Sequence, residues 1–88
     1  MEQEQEVKRT KIEFTLSTGA SCKVVALKGR DMVQAQRIAD GDQAKIMFAL
    51  TAIATTINGQ QIVVEDLEDM PLADALKIQQ AFGEINFS

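Results

Sequence analysis

The sequence predicts a small α+β domain in which three helices pack on one face of a small antiparallel sheet, in the order β-β-α-α-β-α. Two segments near the N-terminus have the pattern of strands and are joined by a short turn. Three later segments have apolar residues at helical spacing. The chain has 88 residues and is 45% hydrophobic, which suits one domain with a modest core.

The N-terminal part is predicted to be a flexible polar tail over residues 1–9, followed by a single domain over residues 10–88. The domain opens with strict alternation over residues 11–16, which places three apolar side chains on one face of a half-buried strand: Ile12, Phe14 and Leu16. Residues 23–28 form a second strand that is rich in β-branched side chains. Because the link between them is short and contains Gly19, the sequence predicts an antiparallel hairpin.

Two successive helices are predicted next. The first begins at residues 29–31, where the Asp31 carboxylate favours the unpaired amides of a helix N-terminus. Its apolar stripe consists of Met32, Ala35, Ile38 and Ala39. Gly41 ends this helix, Asp42 caps the second one, and the second helix is predicted over residues 43–57.

The C-terminal third is predicted to contain a strand, an acidic turn and a helix. Asn58-Gly59 suits either a helix exit or a hairpin turn, since both residues tolerate positive φ. A third strand is predicted over residues 62–64, and residues 65–70 form an acidic loop or single turn. Pro71 opens the last helix. Its apolar side is predicted to carry Leu72, Ala75, Leu76, Gln79 and Phe82, with Ile78 beside them, and Gly83 and Asn86 mark its end.

The helix over residues 43–57 has almost no polar side and carries a single charge, Lys45. A surface helix normally shows an apolar stripe and a polar back. A sheet of three short strands cannot cover the whole surface of such a helix, so either the core or a partner protein covers the remainder. The candidate contact residues on it are Met47, Phe48, Leu50 and Ile53, some of which must belong to the core.

Composition argues against several functional classes. The chain has no histidine, tryptophan or tyrosine and a net charge of −4, so the commonest general base and metal ligand is missing. No basic stripe suggests nucleic-acid binding, no apolar run suggests a membrane span, and no signal peptide is evident. A single cysteine, Cys22, is expected to be a buried apolar residue. We therefore expect a cytoplasmic protein without a cofactor, and a binding protein rather than an enzyme.

Two charged groups remain as candidate sites. The acidic run could hold a divalent cation or act as a general acid and base, but it lacks the ligand register of a calcium loop, and a solvated surface is the simpler interpretation; it comprises Glu65, Asp66, Glu68 and Asp69. Arg30 and Arg37 lie on one face of the first helix, where they could bind carboxylates of a partner or remain solvated.

The order of these motifs resembles a known family. The segments that carry the resemblance are L-K-G-R-D-M-V-Q-A-Q-R (27–37), G-D-Q-A-K (41–45), T-I-N-G (56–59), E-D-L-E-D-M-P-L-A-D-A-L-K-I (65–78) and the terminal F-G-E-I-N-F. Together they resemble the small tail assembly chaperones of Mu-like, contractile-tailed phages and prophages, over about residues 11–87.

The resemblance implies a function in the cytoplasm of a bacterial host. Members of this family bind the long helical tape measure protein and keep it soluble before the tail tube polymerises around it. They tend to self-associate, and they have no catalytic motif. The alternative is a minor structural or tail-completion protein that stays in the virion.

Overall fold

The computed structural model describes residues 10–87 of the protein. The tail predicted over residues 1–9 lies outside the described residues. The strands are β1 (Lys11–Thr15), β2 (Ser21–Val25), β3 (Thr55–Ile57) and β4 (Gln60–Gln61). The helices are α1 (Gly29–Ala39), α2 (Ile46–Ala54), α3 (Val64–Asp69) and α4 (Leu72–Phe87), and a short 3-10 turn (Gln43–Lys45) precedes α2.

The predicted fold class is confirmed: the protein is α+β with an antiparallel sheet, and the described residues form four strands and four helices where three of each were expected. The strands lie in chain order, β1-β2-β3-β4, and each neighbouring pair is antiparallel. The N-terminal hairpin has Phe14 opposite Cys22, and the centre of the sheet has Val24 opposite Thr55. Cys22 and Val24 are buried, so this face of the sheet meets the helices.

The third strand was predicted in the wrong place. It is not formed by residues 62–64, of which Val64 begins α3, but by Thr55–Ile57 at the end of the predicted second helix. Three consecutive β-branched residues favour extended backbone, and pairing with β2 provides hydrogen bonds that a further helical turn would forgo. Asn58 and Gly59 then adopt φ values of 50° and 82°, which form the tight turn to β4.

Helix α2 is central because it contacts α1, α3, α4 and three strands. Its buried residues are Ala49, Leu50, Thr51, Ala52 and Ala54. Two buried threonines here are satisfied internally: the Thr51 hydroxyl donates to the Met47 carbonyl at 2.7 Å, and the Thr55 hydroxyl to the Thr51 carbonyl at 2.7 Å. The neighbours of α2 explain why its sequence is apolar on most sides.

Helix α4 covers β1 and β2 and continues through both predicted end residues, Gly83 and Asn86, to Phe87. Its apolar side agrees with the prediction at Ala75, Ile78 and Phe82, and the other buried residues are Asp74 and Ala81. Leu72 and Leu76 are exposed instead. The buried face is therefore rotated away from both leucines.

Candidate functional site

A groove lies between α1 and the segment that leads from β4 into α3. Its volume is about 410 Å³, and α2 forms its floor. We call it the α1–α3 groove, and its lining residues are Gln34, Ile38, Ala52, Ile53, Gln61, Ile62, Val63, Val64 and Glu65. Most of them are aliphatic, and the polar members are two glutamines and one glutamate.

Two aliphatic side chains at the mouth of the groove are open to solvent. Ile38 is 44% exposed and Val63 is 56% exposed, on opposite walls. Between them Ile53 is half-buried on the floor. An aliphatic surface in this arrangement can bind apolar side chains of a partner without any rearrangement of the core.

The groove exists because α1 packs on α2 through small residues. The buried residues of α1 are the small Ala35 and Ala39, and α1 packs chiefly on α2. Ile38 is displaced from Ala39 by about 100° around the helix axis, so its side chain lies at the side of this contact instead of inside it. The opposite wall is held by the Gln61 amide, which donates to the Ile53 carbonyl at 3.2 Å.

The predicted contact residues are distributed over different environments. Leu50 is 8% exposed and belongs to the core, whereas Ile53 lies in the α1–α3 groove. Met47 is 43% exposed, and Phe48 is half-buried against the core. The helix therefore contributes side chains to both the core and the surface.

Arg30 and Arg37 are exposed on α1. Arg30 lies one turn before Gln34, which lines the α1–α3 groove, and Arg37 adjoins Ile38 along the chain. Within residues 10–87 neither arginine forms an ion pair. Both are therefore available to carboxylates of a partner beside the groove.

A second apolar surface was missed by the sequence analysis. Leu72 is 73% exposed and Leu76 is 58% exposed on α4. Leu76 lies one turn before Gln79 on α4, and Met47 lies one turn before Thr51 on α2. The Thr51 hydroxyl donates to the Gln79 side-chain oxygen at 3.2 Å, so Leu76 and Met47 lie beside the same contact between the two helices. Helical periodicity placed both leucines on the apolar side of the helix, because it gives the spacing of a stripe but not which of two adjacent stripes faces the sheet.

The acidic run forms most of α3. Asp66 accepts a hydrogen bond from the Val63 amide at 2.9 Å, so it caps the helix N-terminus. Among residues 10–87 no group of three or more histidine, cysteine, aspartate or glutamate side chains is arranged to hold a metal ion. In the same part of the chain, no helix is long and apolar enough to cross a membrane.

Cys22 on β2 and Asp74 in the first turn of α4 are buried ionisable groups. Burial, together with the charge of Asp74, raises the pKa of the Cys22 thiol to about 11. The Asp74 carboxylate accepts hydrogen bonds from the Ser17 hydroxyl at 2.6 Å and the Ser17 amide at 3.1 Å, and these bonds lower its pKa. The thiol is therefore protonated at neutral pH and is a poor nucleophile, and the carboxylate anchors the hairpin turn.

No family model matches the sequence. A search of curated proteins and a search of solved structures likewise find no match.

Proposed function

We propose that this protein is a tail assembly chaperone of a contractile-tailed phage or prophage, which binds the helical tape measure protein and keeps it soluble until the tail tube polymerises. The observation that carries the proposal is the α1–α3 groove, an open aliphatic surface with Ile38 and Val63 exposed at its mouth. The resemblance of the sequence motifs to such chaperones supplies the identity of the client. The site of action is the cytoplasm of the bacterial host.

The chemistry of the groove fits a helical client. An amphipathic helix binds a groove by inserting apolar side chains at i, i+3, i+4 and i+7 positions. The walls of the α1–α3 groove offer aliphatic contacts to such side chains, and Gln34, Gln61 and Glu65 offer polar contacts at its margin. Arg30 and Arg37 add positive charge on the α1 side for carboxylates on the client.

The same surface favours release. Tight interfaces are dominated by a few buried tryptophan, tyrosine or arginine anchors. The chain has no tryptophan or tyrosine, the lining of the groove is mostly aliphatic, and Arg30 and Arg37 are exposed instead of buried. Binding therefore consists of many small contacts, which tube subunits can displace during assembly.

In this proposal the protein has no catalytic role. The raised pKa of Cys22 keeps its thiol neutral, and its burial keeps it from a substrate. Asp74 is engaged by Ser17, and Asp66 caps α3. These side chains, which could otherwise serve in acid, base or nucleophilic chemistry, thus have structural roles.

Co-expression with the tape measure protein of the same phage or prophage tests the proposal. The wild-type protein should keep the tape measure protein in the soluble fraction and co-purify with it. The double substitution Ile38→Glu, Val63→Glu places two charges at the mouth of the groove, and we expect it to reduce the co-purified fraction about tenfold or more. Both side chains are exposed in the free protein, so the fold should be retained.

The control is Gln80→Glu, which introduces the same charge at an exposed residue outside both the groove and the second apolar surface. It should leave client binding unchanged, whereas Leu76→Glu measures the contribution of the second apolar surface. Mass spectrometry of purified tails distinguishes the alternative of a structural tail protein. A chain found at stoichiometric amounts in finished tails, or one that ignores the tape measure protein, would contradict the chaperone function.

A further inference from the structure

Strand β1 is an outer strand of the sheet described over residues 10–87, with β2 as its neighbour. The Thr10 carbonyl accepts from the Ala26 amide at 3.0 Å, and the Leu16 amide donates to the Ala20 carbonyl at 2.9 Å. The even-numbered residues of β1 and its flanks, from Thr10 to Leu16, therefore direct their backbone amides and carbonyls towards β2. By alternation, the amides and carbonyls of Lys11, Glu13 and Thr15 point away from the sheet.

An independent contact agrees with this direction. The Lys77 ammonium lies 3.4 Å from the Thr15 carbonyl oxygen, which it could not reach if that oxygen faced β2. The outer edge of β1, beside which the described residues place no further strand, thus offers the donors and acceptors that strand pairing requires.

We propose that β1 pairs with β1 of a second copy of this chain, in an antiparallel two-fold dimer in which Lys11 of each copy lies opposite Glu13 of the other. The two-fold axis passes beside Ile12. In this register both Lys11–Glu13 positions are hydrogen-bonded pairs, and each exchanges two backbone N–H···O bonds. The proposal does not depend on the chaperone function.

Charge selects this register among the neighbouring ones. The Lys11 ammonium and Glu13 carboxylate are 3.8 Å apart within one strand, with side chains 57% and 59% exposed. Within one copy, Glu13 on β1 is opposite Lys23 on β2. In the proposed dimer each Glu13 therefore lies between Lys23 of its own copy and Lys11 of the second copy.

The adjacent registers are less favourable. An axis at Glu13 places the two glutamates opposite each other, and an axis at Lys11 does the same with the two lysines. Like charges directly opposite each other destabilise a strand pair. An axis at Phe14 places Glu13 opposite Thr15, which forgoes both charge pairs.

The apolar side of β1 supports the same contact. Ile12 and Phe14 are half-buried and line a shallow depression of about 200 Å³ beside α4. The axis beside Ile12 makes the two Ile12 residues a non-hydrogen-bonded pair, in which side chains are closest. The pairing thus continues the apolar layer under α4 from one copy to the next.

Complementary charge variants test the dimer. Analytical ultracentrifugation of the wild-type protein should show a monomer–dimer equilibrium. K11E places a carboxylate opposite Glu13 of the other copy, and E13K places an ammonium opposite Lys11, so each alone should weaken the dimer about tenfold or more at low salt. An equimolar mixture of K11E and E13K allows opposite charges to face each other across the strand pair. The mixture should therefore associate more strongly than either variant alone.

The controls are K45E and E68K, which make the same charge changes at exposed positions away from β1 and should leave the equilibrium unchanged. Circular dichroism verifies that each variant is folded. A wild-type protein that stays monomeric at millimolar concentration overturns the proposal, and so does a mixture that associates no better than its components. A K11E protein that dimerises as well as the wild type overturns the proposed register.

Discussion

At the residue scale, Asp74 connects the start of α4 to the turn between β1 and β2. It lies in the first turn of α4, is 3% exposed, and accepts both hydrogen bonds of Ser17 from a position 57 residues away in sequence. An ionised carboxylate has two acceptor oxygens, and here one accepts from the Ser17 amide and the other from the Ser17 hydroxyl. The bond therefore fixes the β1–β2 turn against the start of α4.

Asp74 makes stability depend on pH. Its pKa is lowered from the ordinary value of 3.8, chiefly by the Ser17 hydroxyl and amide. Stability from this group is fully present above the pKa of the unfolded chain and is lost as pH falls through the folded pKa. We expect D74N to have a lower urea midpoint than the wild type at pH 7, and the difference to shrink as the pH is lowered below 3.8.

Urea titrations of both proteins at several pH values measure this effect. E68K is a suitable control because Glu68 is exposed on α3. A difference between D74N and the wild type that stays constant down to strongly acid pH would contradict the role of the ionised carboxylate.

Asn86 plays the corresponding role at the other end of α4. Its side-chain oxygen accepts from the Leu27 amide at 2.7 Å, and its side-chain amide donates to the Phe82 and Val25 carbonyls at 3.2 and 3.4 Å. We expect Asn86→Ala to lower the free energy of unfolding by about 1–3 kcal/mol, because the Leu27 amide is left without its acceptor. Chemical denaturation measures the change, and Gln80→Ala on the exposed side of α4 is the control.

At the scale of elements, the β3–β4 hairpin decides where α2 ends. Asn58 and Gly59 have φ values of 50° and 82°, and the Asn58 side-chain oxygen accepts from the Ser21 amide at 3.0 Å. The turn therefore joins β4 to β3 and also contacts the start of β2. Its position terminates α2 at Ala54 and sets the wall of the α1–α3 groove.

We expect Gly59→Val to destabilise the protein by about 1–3 kcal/mol, since a β-branched residue is strained at positive φ. No atom lies within 4 Å of a Cβ placed on Gly59, so strain and not a clash is the cause. Gly29→Val is the control, because it also has open space but no positive φ. Denaturation midpoints measure both variants, and equal losses in the two would contradict this explanation.

At the scale of the whole molecule, α1 is less integrated than α4. It packs chiefly on α2, and its buried residues are the small Ala35 and Ala39. In contrast, α4 buries Ile78 and Phe82 against the sheet and is tied to both hairpin ends. Since apolar burial is the main stabilising term, we expect α1 to open at a lower free energy than α4.

Native-state hydrogen exchange checks this difference. We expect the amides of α1 to exchange faster than those of β2 and α4, because opening α1 exposes little apolar surface. Binding of a helical client in the α1–α3 groove should slow exchange in α1 more than in α4. Protection in α1 equal to that in α4 would contradict this order of stability.

Local signals in the sequence were enough to predict the fold class, the N-terminal hairpin and the approximate place of three helices, because alternation, helical spacing and turn residues act over short distances. They also indicated that α2 has more apolar surface than a surface helix needs. The third strand was misplaced because Thr55–Ile57 becomes extended by pairing with β2, which is a long-range contact.

Which apolar residues remain open was set by the packing of the helices. Leu50 lies in the core, whereas Leu72, Leu76, Ile38 and Val63 are exposed. Periodicity gives the spacing of an apolar stripe, but the direction in which it faces depends on how α1 and α4 pack on α2 and on the sheet. The α1–α3 groove exists only in that packing, since its walls come from segments that are distant from each other in the chain.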